Sequence, residues 1–313
     1  MARIGRDHGG GLDAAAAQYG GERSDWLDLS TGINPEYYRI PRCVPSDWTD
    51  LPDHNASADL CAAARQFWNV PPTADVLAVS GCSAAIAQIP SLRPAGTVEI
   101  AMRSYNEHAA AFRLHGWDPQ EASTAPQARV IVHPNNPTGT FHAKIEPATL
   151  TVIDESFCDI APARSHIAKA AISGHILLKS FGKFWGLAGL RLGFAIGDPE
   201  LIGALRQSLG PWPVSGAAIR VGTVALRDNA WAEHTRNRLS KDAILLDQIM
   251  GKVAALPMGD CTLFRTYDVS NARNLQHQLA QSHIWTRIFP YSDRWIRLGM
   301  PPKPDWHRLE AAL

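Results

Sequence analysis

The sequence predicts an α/β protein with a largely parallel sheet, and three observations predict it. Short apolar runs rich in Val, Ile and Leu recur between residues 75 and 197, helix-suited stretches lie between several of them, and the texture changes after Pro213. The runs are 75–81 (DVLAVSG), 97–102 (TVEIAM), 128–134 (ARVIVHP), 150–156 (LTVIDES), 175–181 (HILLKSF) and 192–197 (LGFAIG). They are short and continuous rather than alternating, as strands covered on both faces are. Between them, 83–92 (SAAIAQIPSL) and 106–117 (NEHAAAFRLHGW) suit helices, and this alternation is the pattern of parallel strands joined by helical crossovers. Beyond Pro213, residues 216–255 are Ala/Leu/Arg-rich with helical spacing, and 258–299 hold shorter apolar runs broken by polar turns, as in a smaller α+β domain. The expected organisation is an N-terminal arm over 1–35, a large domain over 36–215 and a small C-terminal domain over 216–313, with a boundary near 213–220. The arm carries two glycine-rich turns, at 9–11 and 20–21, and the turn-like STGINP at 30–35.

Composition narrows the function classes. At 313 residues, 45% apolar and 19% charged, the chain can bury a full core and is unlike disordered sequences. Lys and Arg total 30, as do Asp and Glu, so no global field recruits nucleic acid or an anionic membrane, and a small ligand is the expected partner. The five cysteines, at 43, 61, 82, 158 and 261, form no CxxC pair, which argues against a disulfide framework or a thiolate metal site and fits a reducing cytoplasm. No apolar run approaches membrane-spanning length, and the N-terminal MARIGRDHGGGLD lacks the apolar core of a signal peptide.

Residues 180–193, SFGKFWGLAGLRLG, carry the most chemistry. Lys183 follows a predicted strand among Phe181, Phe184, Trp185 and Leu187, a setting in which an ammonium is costly and a neutral amine is free to form a Schiff base; alone, it also reads as a surface lysine. Arg191, Ser180 and the turn Gly81-Cys82-Ser83 together suit a dianionic phosphate. Asp154 ends the strand LTVID and Asn136 lies in the turn HPNNPTG, so both emerge where open α/β sheets place ligands.

PNNPTG, then an IDES strand end, then SFGKxxGLxGLRxG resemble, in order and spacing, the fold-type I, class I/II aminotransferase superfamily, which uses pyridoxal 5′-phosphate (PLP). The resemblance implies a large domain with a mostly parallel sheet and a smaller C-terminal domain. It makes Lys183 the Schiff-base lysine, Asp154 the carboxylate paired with the protonated pyridine nitrogen, and Asn136 the donor to the phenolic oxygen. Tyr105 in RSYNEH would stack on the cofactor, and His108 matches a histidine behind the site in some relatives. On the residues alone, Asp154 also reads as a turn cap and Tyr105 as core packing. The pattern breaks at Phe157, where many aminotransferases have a tyrosine, and at Leu51-Pro52-Asp53, where many have a Tyr-Pro whose tyrosine reaches the other subunit.

Further segments, DHGGGLDAAAAQYG at 7–20, WLDLSTGINP at 26–35, GPWPVSG at 210–216, TRIF at 286–289 and WIRLGMPP at 295–302, resemble the threonine-phosphate decarboxylase branch of that superfamily, related to histidinol-phosphate aminotransferases. That branch implies loss of CO2 from L-threonine O-3-phosphate, giving (R)-1-amino-2-propanol O-2-phosphate, in cobalamin biosynthesis. Arg297 in WIRLG matches the superfamily's α-carboxylate arginine, whose planar fork suits a bidentate contact. Arg287 and His8 become candidates for the substrate phosphate, and Asn34 for the carboxylate region. Alone, Arg297 also reads as a half-exposed strand arginine and His8 as a solvated one. Three functions stay open: the decarboxylase, a PLP aminotransferase of histidinol-phosphate type, and a non-catalytic PLP-binding regulator. The last is opposed by the intact Lys183, Asp154 and Asn136 and by the lack of a DNA-binding extension. The resemblance further implies a homodimer.

Overall fold

The computed structural model describes residues 8–313, which divide into two compact units: 37–136 with 141–236, and the segment up to Glu36 with 137–140 and 237–313. The described N-terminal segment holds a helix, Leu12–Tyr19, and a two-residue strand β1 (Leu27–Asp28).

The larger unit is built on a seven-stranded sheet of β2 (Asp75–Val79), β3 (Thr97–Ile100), β4 (Asp118–Gln120), β5 (Ala128–Val132), β6 (Leu150–Asp154), β7 (His175–Ser180) and β8 (Gly193–Gly197). Their order across the sheet is β2-β8-β7-β6-β5-β3-β4; β8 runs antiparallel to both neighbours and the other pairings are parallel. All six apolar runs form strands. Every residue of β6 and β8 is buried, which is why these runs show no polar alternation. Edge strand β4 was not foreseen: it is short, carries Pro119 and is exposed at both ends, features that an edge tolerates.

The crossover helix after β2, Cys82–Gln88, tightens into a 3-10 turn over Ile89–Leu92, where Pro90 lacks an N–H to continue the ladder. Its Ile86 joins Val98, Phe112, Val130 and Val152 in the core beneath the sheet. The compositional boundary near 213–220 falls inside this unit. Helix Gly216–Leu226 begins at Ser215, whose side chain accepts from Ala218 N, and packs along helix His54–Phe67, with Gly222 against Leu60 and Leu192. The division lies instead within the long helix Asn229–Gly251, between residues 236 and 237.

In the other unit, β9 (Leu256–Met258), β10 (Phe264–Asp268), β12 (Arg287–Phe289) and β13 (Ser292–Gly299) form an antiparallel sheet in the order β12-β13-β10-β9, and β11 (Ile284–Trp285) pairs in parallel with β1. The predicted arm is thus part of the unit that contains the C-terminal segment. Helix Leu12–Tyr19 packs its Leu12 and Ala15 with Trp26 and Ala280, and Tyr19, Trp26 and Trp285 pack ring against ring. The turn Pro137–Thr140 joins the same unit through Asp260 N donating to Gly139 O at 3.0 Å. Among the described residues no helix is long and apolar enough to cross a membrane.

Candidate active site

Sheet register decides what meets in the larger unit. Parallel strands β2, β3, β5, β6 and β7 end along one edge, and because β8 runs the other way it begins there. Gly193 therefore lies opposite Val79 on one side and Ser180 on the other. That pairing places the Gly81-Cys82-Ser83 turn, Ser180 and Arg191 at one point. A Cβ on Gly193 would stand 2.7 Å from Cys82 N, so only glycine allows this approach.

A cavity of about 130 Å³ opens at this edge. Gly81, Cys82 and Ser83 after β2 line it, with Tyr105 after β3, Asn136 after β5, Asp154 at the end of β6, Ser180 and Lys183 at the end of β7, and Arg191 before β8. The structure thus brings together all nine cofactor-binding candidates of the sequence. Gly81 sits at φ 75°, and a Cβ there would meet the Arg191 guanidinium at 2.7 Å, so the guanidinium lies directly against the turn. Arg191 itself is left-handed at φ 53°, unusual for a non-glycine residue, and its Nη1 donates to Ala188 O at 3.1 Å.

Asp154 is buried, and its carboxylate is satisfied by donors: Oδ2 accepts from His108 Nε2 at 2.9 Å, and Oδ1 from Ser156 N at 3.0 Å and Ser156 Oγ at 2.5 Å. Burial alone would push its pKa up; the His108 and Ser156 hydrogen bonds and His108's charge outweigh it and hold the carboxyl below the ordinary range. Burial, the largest cause, pushes the Cys82 thiol and the Tyr105 phenol both up to about 12. Lys183 is half-buried, with Nζ 5.3 Å from the centre of the Phe157 ring. Lys179, the other lysine nearby, is fully buried. Its Nζ lies 2.6 Å from Glu155 Oε2 and 3.6 Å from Asp159 Oδ1, and these carboxylates outweigh the burial that opposes its charge. It is a structural ion pair. Sequence reasoning missed Ser156, whose position two residues after Asp154, where a side chain turns back onto the carboxylate, was the available signal.

The substrate candidates lie in the other unit. Arg297 on β13 is buried, stands opposite Arg287 on β12 and Thr266 on β10, and donates from Nη2 to Ser30 O at 2.6 Å. Its Cζ lies 5.1 Å from the Phe264 ring centre, and burial first, then Arg287's charge, pushes its pKa down to about 10. His8 is exposed. The next residue, Gly9, is close to Ser30 O and Arg297 Nη2, at 2.5 and 3.5 Å from where its Cβ would be, and Gly10 N donates to Ser30 Oγ at 2.6 Å. Asn34 is buried, its Oδ1 accepting from Glu36 N at 3.1 Å and from Arg238 Nη2.

The chain belongs to the aminotransferase class I and II family, whose sequence profile matches residues 45–313. It is 36% identical to a threonine-phosphate decarboxylase of Pseudomonas aeruginosa, over 98% of this chain and 97% of that one. It is 35% identical to a threonine-phosphate decarboxylase of Sinorhizobium sp, over 94% and 93% of the two chains. The structure superposes on a histidinol-phosphate aminotransferase of Sinorhizobium meliloti, solved in complex with pyridoxal-5′-phosphate, with a TM-score of 0.79 at 18% identity, covering 100% of this chain and 97% of that one. At that identity the likeness is one of fold.

Proposed function

We propose that this chain is a PLP-dependent decarboxylase of L-threonine O-3-phosphate, as in cobalamin biosynthesis, and works as a cytoplasmic homodimer. The observation that carries the reading is near-full-length similarity to two threonine-phosphate decarboxylases in a chain that gathers the nine residues above around one cavity of the larger unit. The donor set fits the cofactor. Gly81 leaves space that a Cβ would fill, beside a guanidinium and two serine hydroxyls suited to a phosphate; Asn136 offers an amide to a phenolic oxygen; Asp154 offers an ionised carboxylate to a protonated ring nitrogen; Lys183 offers the amine.

When bound, PLP supplies an electron sink for the pair left when a bond to the substrate Cα breaks. The protein's residues decide which bond that is. Asp154, held as an anion by His108 and Ser156, keeps the ring nitrogen protonated. Tyr105, held neutral, offers a ring face to the cofactor. Arg297, its fork fixed by Ser30 O, takes the substrate carboxylate, with Asn34 beside that role, and Arg287 and His8 take the phosphate. Holding both anions fixes rotation about Cα, and only a carboxylate bond perpendicular to the ring is broken easily.

The test is to supply L-threonine O-3-phosphate with no oxo-acid acceptor. Continuous turnover releasing one CO2 per amino acid consumed is expected. A single half-reaction that leaves an oxo acid, a pyridoxamine-form cofactor and no CO2 would replace the reading with an aminotransferase.

A further inference from the structure

Of the three donors to Asp154, two come from one residue. Ser156 gives both its N–H and its hydroxyl to Oδ1, at 3.0 and 2.5 Å, while His108 bonds Oδ2 at 2.9 Å from behind. Ser156 also lines the cavity, next to Phe157, which has no polar atom to offer. The other titratable groups around Asp154 are Tyr105 on the β3 side, Cys82 on the β2 side and Lys183, which lines the same cavity after β7. With both the phenol and the thiol pushed up to about 12, neither adds negative charge at neutral pH.

We infer that Ser156 is a positioning residue that sets on which atom the proton shared by Asp154 and the cofactor's ring nitrogen resides, an inference that rests on the PLP reading above. A proton between a carboxylate and a pyridine nitrogen settles on the more basic partner, and every donor to the carboxylate lowers that carboxylate's basicity. The Ser156 hydroxyl, at 2.5 Å, is the shortest of the three contacts and the one that a substitution removes without disturbing the backbone N–H of the turn. With it, the proton stays on nitrogen and Asp154 stays an anion. Without it, the balance moves toward a neutral ring and a protonated carboxyl, and the ring becomes a weaker acceptor of electrons. Phe157, the next residue, has a side chain without a donor.

The experiment compares wild type, Ser156→Ala and Ser156→Thr, each loaded with PLP labelled with 15N at the ring nitrogen. The 15N shift against pH reports the proton on the ring, and 13C-carboxylate labelling of the cofactor-free proteins reports Asp154. In Ser156→Ala the ring resonance is expected to move toward its unprotonated position and the Asp154 midpoint to rise by about one pH unit, tenfold in proton affinity, with Thr restoring both. An alanine variant that titrates like wild type in the cofactor-free protein, or whose ring proton is unmoved, overturns the inference. Failure of wild type to take up PLP would instead sink the functional reading, and the cofactor-free titration would still decide what Ser156 does to Asp154.

Discussion

In the proposed reading, Asp154 and Lys183 carry the two roles that no neighbouring side chain duplicates. Replacing Asp154 by Asn keeps a side chain of the same shape that still accepts from Ser156 at one oxygen, so the fold is expected to persist. A neutral amide, however, does not hold a proton on the ring nitrogen, and turnover is expected to fall by about 100-fold or more. Near-wild-type turnover in Asp154→Asn, measured with saturating PLP, would refute the role. For Lys183, borohydride treatment followed by proteolysis and mass spectrometry is expected to fix the cofactor on the peptide containing Lys183, and Lys183→Ala is expected to retain only dissociable cofactor. Fixation on Lys179 would contradict the ion pairs that hold that amine charged and buried. The place of these two residues at the cavity was legible in the sequence because strand ends and a distinctive SFGK motif mark them. Ser156 carried a local signal, its place two residues after Asp154, that was passed over; the pairing of Lys179 was not legible, since it depends on how β7 aligns with the end of β6.

At the scale of elements, the site exists because β8 reverses direction. Continuous apolar runs made the strands readable, but nothing in LGFAIG says that it runs against its neighbours, and β4 has no apolar run at all. Gly193 is where the reversal becomes chemically specific. A Cβ there would be 2.7 Å from Cys82 N and 3.1 Å from Gly81 C, both backbone atoms that can yield only by moving the turn. Gly193→Ala is therefore expected to destabilise the protein by about 1–3 kcal/mol. It should also weaken PLP binding, since Gly81 and Arg191 shift with the turn. Gly203, inside helix Pro199–Leu209 with nothing near its Cβ position, is the control. Gly203→Ala is expected to stabilise by about 0.5–1 kcal/mol and leave PLP affinity unchanged. Thermal unfolding and cofactor titration of both variants check the pair. Equal effects from the two would show that the close approach at Gly193 carries no cost.

For the whole molecule, chain order misleads about organisation. The texture change after Pro213 is real, but the helix that follows is mostly buried against helix His54–Phe67, and the segment up to Glu36 is stitched to Ile284–Trp285 far along the chain. Composition records which residues are apolar; it does not record which distant segment covers them. The same burial gives the protein a defined response to acid. His133 is buried, accepting at Nδ1 from His142 N at 3.0 Å and donating from Nε2 to Arg164 O at 2.8 Å, and burial pushes its pKa down to about 4. Burial also lowers His142 and His175. A histidine whose folded pKa is depressed binds protons more readily when unfolded, so its contribution is complete above about 6.5 and is lost as pH falls toward 4. Asp154, Glu155 and Asp198 are depressed as well, so their contribution is complete above the ordinary carboxylate range and is lost below it. Both sets have the same sign in different windows. The thermal midpoint is therefore expected to fall first between pH 6.5 and 4, by about 3–5 °C, and more steeply below pH 4 as the carboxylates protonate. His133→Gln, which keeps an acceptor and a donor without a titrating ring, should reduce the fall in the upper window to the share of His142 and His175 and leave the lower one in place. Scanning calorimetry of both proteins from pH 7.5 to 3 measures this, and a wild-type midpoint that stays level from pH 7 to 4.5 would show that His133 does not carry the upper window.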